Sequence, residues 1–164
     1  MNPTGTIVER DGRHVLVQTR EFRAPIEDVW AAVTDSERLA RWVGSWEGDP
    51  ASGSVQFRML FEGEDHAPET MTIRVCEPPH RLHLTSQAGD DVWLLELDLT
   101  HRDGVTTLTF SQPGVTQEQA GGVGPGWDYY LDRLVDAETG ADPALRDFDR
   151  DYYPATAEHY TSQF

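Results

Sequence analysis

The chain of 164 residues contains no lysine. Its 13 basic residues are all arginine and stand against 29 acidic residues, which gives a formal net charge of −16 at pH 7. The arginines are scattered, whereas binding to nucleic-acid phosphates or to anionic lipid surfaces needs a cluster of basic side chains. The composition therefore argues against nucleic acid and membrane surfaces as partners.

Long apolar runs are also missing, because no stretch of about 18 apolar residues occurs that could span a membrane. The N-terminal residues lack the charged and apolar regions of a secretory signal. Cys76 is the only cysteine, which excludes an intramolecular disulfide. We expect its thiol to be inert and at least half-buried. These absences together favour a cytoplasmic location.

Catalytic signatures are absent as well: the chain has no G-x-S-x-G, no H-E-x-x-H and no paired-cysteine metal spacing. His83 and His101 could approach each other on neighbouring strands. Glu96 and Asp98 fall on the polar face of their strand and are expected to point outward. We therefore assign no catalytic residue and expect no metal or cofactor. An enzymatic role stays open, with a non-enzymatic one favoured.

The N-terminal part predicts a β-hairpin followed by two short helices. Residues 6–10 and 14–22 read as strands joined by Asp11-Gly12, a dipeptide typical of tight turns. Pro25 suits the first turn of a helix. The apolar residues that follow recur at helical spacing, as Ile26, Val29, Trp30 and Val33. Thr34 and Glu37 have capping-box spacing for a second helix that ends at Gly44, with its apolar side made of Leu39, Trp42 and Val43.

The middle of the chain alternates between apolar and polar residues at the period of a half-buried strand. The residues predicted to face inward are every second residue in five stretches: from Val55 to Phe61, from Met71 to Val75, from Leu82 to Leu84, from Trp93 to Leu99 and from Thr106 to Phe110. Short turns between them predict antiparallel neighbours in sequential order.

The C-terminal part predicts one long helix and an extension. Residues 121–126 are rich in glycine and are expected to form a flexible connection, because a phosphate-binding loop would need a lysine that is absent. A helix is predicted from Trp127 to a C-cap at Gly140. Residues 1–140 thus form a single domain. Residues 141–164 contain five aromatic residues, too many for inert disorder, so we expect this extension to pack on the domain or on a second copy in a homodimer.

The order of these elements, with Ala24-Pro25, Val29-Trp30, Thr34-Asp35, Leu39 and Trp42 near the start and Gly126-Trp127, Leu131 and Leu134 near the end, resembles a known family. It is similar to the α+β helix-grip fold of the START and Bet v 1-like (SRPBCC) superfamily. Within it, the chain resembles the family related to the C-terminal domain of the activator of Hsp90 ATPase, over about residues 13–138. The resemblance implies a curved antiparallel sheet around a long C-terminal helix.

The resemblance also implies a cavity between the sheet and that helix, although the same side chains could instead fill a solid core. We expect the cavity to bind a small hydrophobic or aromatic molecule. The candidate ligand-binding residues are Phe57, Met59, Ile73, Trp93, Leu95, Leu97, Phe110, Trp127, Tyr130 and Leu134. Because the family is functionally mixed, two alternatives remain: an Hsp90 co-chaperone and a polyketide cyclase- or dehydratase-like enzyme.

Overall fold

The computed structural model describes residues 2–63, 67–88 and 90–164. Within these ranges the chain forms eight strands: β1 Thr6–Arg10, β2 Arg13–Phe22, β3 Gly44–Glu47, β4 Ser54–Met59, β5 Glu69–Glu77, β6 Arg81–Ala88, β7 Asp91–Arg102 and β8 Val105–Pro113. The helices are α1 Ile26–Thr34, α2 Ser36–Leu39, α3 Gln117–Thr139, α4 Phe148–Asp151 and α5 Ala157–Thr161. Two short 3₁₀ turns cover Pro50–Ser52 and Pro143–Leu145.

All eight strands form one antiparallel sheet in the order β1-β2-β8-β7-β6-β5-β4-β3. The sheet is curved and holds the long helix α3, so the predicted helix-grip α+β fold is confirmed. The β1–β2 hairpin turns at Asp11 and Gly12 with φ of 54° and 76°, as that dipeptide predicts. The strands from β3 to β8 pair in sequential order, as expected for hairpin connections.

The two short helices agree with the prediction in place but not in their cap. The predicted capping box is wrong, because α2 begins after Asp35 without a side-chain cap. The Thr34 hydroxyl instead donates to the carbonyl of Trp30 at 2.7 Å. Gly44 does not end the second helix but opens β3, a strand too short to give a clear alternation. Its lack of a side chain is required there, since a Cβ would overlap the Phe57 ring.

Helix α3 begins ten residues earlier than the glycine-rich sequence suggested. Thr116 forms a capping box with Gln119, and the helix continues through residues 121–126 to a C-cap at Gly140, where φ is 84°. The predicted flexible connection is therefore wrong. Glycine in a helix interior costs about 1 kcal/mol relative to alanine. Tertiary packing must therefore stabilise the helical conformation of residues 121–126.

That packing involves the C-terminal extension, which lies along the side of α3. Tyr160 from α5 is completely buried, and a Cβ at Gly124 would stand only 2.5 Å from its Cδ1 atom. Its hydroxyl donates to the carboxylate of Asp128 and accepts from the amide of Gly5 at 3.1 Å. The extension also reaches the edge of the sheet, where the amide of Ile7 donates to the Gln163 side chain at 2.8 Å.

A buried polar network joins α3 to strand β2 beneath this contact. Arg20 is 9% exposed and donates to Asp128 at 2.9 Å and to Asp132 at 3.1 Å. Asp132 also accepts from the hydroxyl of Tyr152, a second buried residue of the extension, at 2.7 Å. The network links the extension to the domain, because Tyr152 and Arg20 share the partner Asp132. Removing one partner of a buried ion pair in it would leave an uncompensated charge.

The main core lies on the other side of α3, between the helix, the concave face of the sheet, and α1 and α2. Its buried members include Val29 from α1, Trp42 from the turn after α2, Leu108 from β8 and Leu134 from α3. No helix among the described residues is long and apolar enough to cross a membrane.

Candidate functional site

A cavity of about 910 Å³ lies inside the grip of sheet and helix. Its walls are strands β4 to β8, the segment from α1 to β3, and one face of α3. This volume falls in the range of roughly 300–1,000 Å³ that is typical of small-molecule sites. The molecule is therefore not a solid core at this position.

The strands contribute their inward-facing side chains at period two. The apolar lining residues on strands β4 to β8 are Val55, Phe57, Met59, Met71, Ile73, Leu82, Leu84, Trp93, Leu95, Leu97 and Phe110, and β3 adds Trp46. One position departs from the predicted alternation, because the register shifts between Ile73 and Val75. Cys76 instead of Val75 consequently joins the lining, and its side chain is exposed. The expectation of an at least half-buried thiol is wrong for this reason.

Helix α3 turns a narrow stripe toward the cavity. Its lining residues are Gln119, Gly122, Val123, Gly126, Trp127, Tyr129, Tyr130 and Leu131, and all but Tyr129 recur at a spacing of three and four residues that defines one helix face. A Cβ added to Gly122 or Gly126 would meet no atom within 4 Å. The two glycines therefore leave open space, whereas Gly121 and Gly124 face the extension.

All five tryptophans of the chain line the cavity. Three of them have paired indole N–H groups: Trp42 donates to the carbonyl of Ala32 at 3.0 Å and Trp46 to that of Thr34 at 2.8 Å. Trp127 donates to the Gln112 side chain at 2.9 Å and packs on Phe110 with ring centroids 4.4 Å apart. These bonds hold the rings in place, so that they offer rigid aromatic surface.

One buried polar atom stands out in this apolar lining. Tyr130 is 5% exposed, and its hydroxyl makes no hydrogen bond of ordinary geometry among the described residues, although the Glu62 carboxylate lies close to it. Burial, and next the negative charge of Glu62, raises the pKa of this hydroxyl above its ordinary value. The group therefore stays protonated at neutral pH and can donate to an acceptor inside the cavity.

Carboxylates supply most of the other polar lining. Glu69, at the start of β5, is half-buried and accepts from the hydroxyl of Ser86 at 2.8 Å. Glu62, Asp91 and Asp149 belong to the lining but are exposed, which places them where the cavity meets solvent. Among the described residues, the lining contains no arginine and no histidine.

The structure brings nine of the ten residues that were predicted to contact a ligand into the lining of this one cavity. They are Phe57, Met59, Ile73, Trp93, Leu95, Leu97, Phe110, Trp127 and Tyr130. Leu134 lies elsewhere, because it is completely buried in the core one turn beyond the cavity and is absent from the lining.

Sequence reasoning missed the wall that the short helices form. Trp30, Val33 and Trp42 read as structural anchors of the two helices, yet they also line the cavity, together with Trp46. Their helical spacing indicates only that this face is covered. The available signal was the occurrence of three tryptophans within residues 30–46, since only Trp30 lies in a helix and such large rings contribute much of the surface of a site.

The polar residues that were considered for catalysis lie outside the cavity. Glu96 and Asp98 are absent from its lining, as their strand position predicted. His83 Nε2 lies 3.1 Å from Asp98 Oδ1. Possible metal-ligand atoms of His83, Glu96 and Asp98 all lie within 4.8 Å of one another. However, Arg10 contacts Glu96 at 2.9 Å and Arg81 contacts Asp98 at 3.2 Å. These arginines already neutralise the carboxylates.

His83 and His101 do not face each other. The β6–β7 register pairs His83 with Glu96, five residues before His101 on β7. His101 pairs with Thr106 of β8 and its Nδ1 lies 2.9 Å from the Thr106 hydroxyl. The two imidazoles therefore belong to separate local contacts.

Comparison with solved structures identifies several similar folds. The crystal structure of CalU16 from Micromonospora echinospora is 23% identical, with a TM-score of 0.73 over 98% of this chain and 95% of that chain. A protein of Bordetella parapertussis, encoded by gene BPP1335, is also 23% identical, with a TM-score of 0.73 over 98% of this chain and 91% of that one.

DynU16, a protein of the dynemicin biosynthetic locus, is 26% identical with a TM-score of 0.67. That similarity covers 79% of this chain and 49% of DynU16, so the present chain spans about half the length of that relative. Comparison with curated proteins finds no match.

One family model matches most of the chain. It is described as activator of Hsp90 ATPase homolog 1-like protein, and it matches residues 23–137. The matched range begins just before α1 and ends near the end of α3, so it contains every wall of the cavity except the two lining residues of the extension, Phe148 and Asp149. The chain belongs to the activator of Hsp90 ATPase homolog 1-like family.

Proposed function

We propose that this protein binds a small hydrophobic molecule with aromatic rings in the cavity between the sheet and α3. The observation that carries the proposal is the convergence of all five tryptophans on one cavity of about 910 Å³. Tryptophan is costly to leave beside empty space, because its large ring loses dispersion contacts on the open side. An aromatic ligand restores those contacts through stacked or edge-to-face rings.

The Tyr130 hydroxyl adds polar specificity to this site. A buried hydroxyl without a hydrogen bond of ordinary geometry loses free energy that such a bond would recover, about 1–3 kcal/mol. A ligand carbonyl, ether or ring-nitrogen atom placed beside it supplies that bond. The proposed ligand is thus mostly apolar, with one acceptor that faces α3.

The glycines of α3 offer a direct test. Gly126→Phe places an aromatic ring into the open space beside the helix, whereas Gly126→Ala adds only a methyl group there. With the neutral probe N-phenylnaphthylamine, we expect quenching of tryptophan emission and gain of probe fluorescence in the wild type and in the alanine variant. The phenylalanine variant should bind at least about tenfold more weakly, a loss of about 1.4 kcal/mol.

The two glycine variants also control for folding, since both should keep the thermal stability of the wild type or exceed it. Equal probe affinity in the phenylalanine variant and the wild type would contradict binding in this cavity. Unchanged tryptophan emission at saturating probe would contradict it independently, because every tryptophan lines the cavity.

Acid–base chemistry on the bound molecule is a second candidate, in line with a cyclase- or dehydratase-like enzyme. It is favoured by one observation: the titratable side chains Tyr130, Glu62 and Glu69 belong to the lining. Such chemistry requires a proton donor and an acceptor within hydrogen-bond reach of the substrate. Conversion of a bound polyketide-type substrate by the wild type and not by Tyr130→Phe, followed by mass spectrometry, would establish it.

The Hsp90 co-chaperone alternative rests on the family description alone. Stimulation of Hsp90 ATP turnover by this chain would favour it. A matched assay with the Gly126→Phe variant separates the two ideas, because a co-chaperone surface does not depend on an open cavity.

A further inference from the structure

The charged side chains that line the cavity, among the residues that the structure describes, are all acidic. Four carboxylates line it, those of Glu62, Glu69, Asp91 and Asp149, and no cationic side chain of the described residues does. A cavity with low-dielectric walls concentrates the field of charges at its entrance. An anionic molecule that enters this cavity would approach several charges of its own sign.

The charge of the whole chain has the same sign, with a formal net charge of −16. The long-range field therefore also attracts cations and repels anions before they reach the entrance. Local and overall electrostatics thus act in the same direction.

One arginine beside the lining, Arg133, is already engaged elsewhere. Arg133 is 3% exposed, and its guanidinium donates to the carbonyls of Trp42 at 3.0 Å and Pro143 at 2.8 Å. Its guanidinium carbon lies 4.0 Å from the centroid of the Phe61 ring, and Phe61 also lines the cavity. Phe61 therefore stands between this guanidinium and the space that a ligand would occupy, and Arg133 is not free to receive an anionic group.

The aromatic walls favour a cation as well. The faces of tryptophan rings carry a negative potential that attracts a ligand cation within about 6 Å of the ring centroid. Trp93 is 36% exposed and shares strand β7 with Asp91. Near the entrance a positive group thus meets an aromatic face and carboxylates together.

We propose that the ligand is a cationic aromatic molecule: a flat ring system that occupies the apolar interior and carries a protonated amine directed to the carboxylates at the entrance. This inference rests on the proposed function and names its ligand class. The ring system contacts the tryptophans and Tyr130, and the ammonium group remains near Glu62, Asp91 and Asp149, where partial exposure lets it keep part of its hydration.

A matched set of probes with one ring system tests the charge preference. Aminoacridine is a cation at neutral pH, acridine is neutral there, and acridine carboxylate is an anion. By calorimetry at low salt, we expect aminoacridine to bind at least about fivefold more tightly than acridine, and acridine at least about fivefold more tightly than its carboxylate. Raising salt from about 50 mM to about 500 mM should reduce the cation's advantage, because screening shortens the reach of exposed charges.

Two charge-matched triple variants locate the effect. Glu62→Gln, Asp91→Asn and Asp149→Asn together remove three entrance charges, and we expect the difference between cation and anion to shrink at least about fivefold. The control combines Glu9→Gln, Glu21→Gln and Asp103→Asn, which are exposed carboxylates outside the lining. It changes the net charge equally and should keep most of the preference.

The outcomes distinguish this inference from the proposed function. If acridine and N-phenylnaphthylamine both fail to bind, the proposed function itself is wrong. If the neutral probes bind and aminoacridine shows no advantage over acridine carboxylate, only the charge preference is overturned. An equal loss of preference in both triple variants would also overturn it, because net charge rather than the entrance would then be the cause.

Discussion

A pair of alanine substitutions two residues apart in α3 should change stability in opposite directions. At Gly126 an added Cβ meets no atom within 4 Å, so Gly126→Ala gains helix propensity alone, about 0.5–1 kcal/mol. At Gly124 the same Cβ stands 2.5 Å from Cδ1 of the buried Tyr160 ring. Overpacking of this kind costs about 1–3 kcal/mol, which exceeds the gain in propensity.

The expected difference between the two variants is therefore about 2 kcal/mol in the free energy of unfolding, with Gly126→Ala above the wild type and Gly124→Ala below it. For a chain of this length that corresponds to a separation of about 4–8 °C in Tm. Urea denaturation followed by circular dichroism measures the free energies, and calorimetry measures the transition temperatures.

The double substitution with Tyr160→Ala isolates the cause. Because Gly124 precedes Pro125, a Cβ there also meets the proline ring of its own helix, and this part of the cost is independent of Tyr160. Removing the Tyr160 ring should recover at least about 1 kcal/mol of the cost of Gly124→Ala. A difference between the two alanine variants that stays the same in the Tyr160→Ala background would refute the packing argument.

Three further predictions concern the extension and the polar network. Deletion of residues 141–164 should lower the free energy of unfolding by about 3 kcal/mol or more, because two buried tyrosines are lost; an unchanged urea midpoint would contradict this. Arg20→Met should cost about 3–5 kcal/mol because it leaves Asp128 buried without its cation, whereas Arg102→Met, at an exposed position, should change stability little. Alkaline pH should destabilise the protein: burial is the main cause of a raised pKa at three tyrosines, so the folded chain keeps protons that the unfolded chain releases, and stability falls above about pH 10. The three residues are Tyr130, Tyr152 and Tyr160. Equilibrium unfolding above about pH 10 measures this change in the free energy of unfolding. A rise in stability with pH would contradict the prediction, because the hydroxyls would then ionise more readily in the folded chain.

The fold could be predicted from the sequence because its pattern is local. Phe57 and Met59 alternate with polar residues, and the strands carry turn residues between them, so the sheet follows from period and spacing alone. The start of α3 could not be predicted in this way. Residues 121–126 are poor helix formers, and they become helical because Tyr160 packs against Gly124 from a distant part of the chain.

The site could be predicted in outline for the same reason. Alternation shows which side chains face inward, and nine of the ten candidates do line the cavity. It does not show whether the enclosed space is filled, since that depends on absent side chains at Gly122 and Gly126. The bulge after Ile73 also reverses the inward order, so that Cys76 enters the lining, and no local pattern indicates this shift.

The contact between the extension and β1 also bears on self-association. An edge strand presents unpaired backbone groups to which a strand of another molecule can add. Here the amide of Ile7 donates to Gln163 and the carbonyl of Gly5 accepts from His159 at 2.7 Å, so side chains of the extension occupy backbone groups two residues apart along this edge. The extension thus covers two of the backbone groups to which a strand of another molecule could add, and its release would expose them.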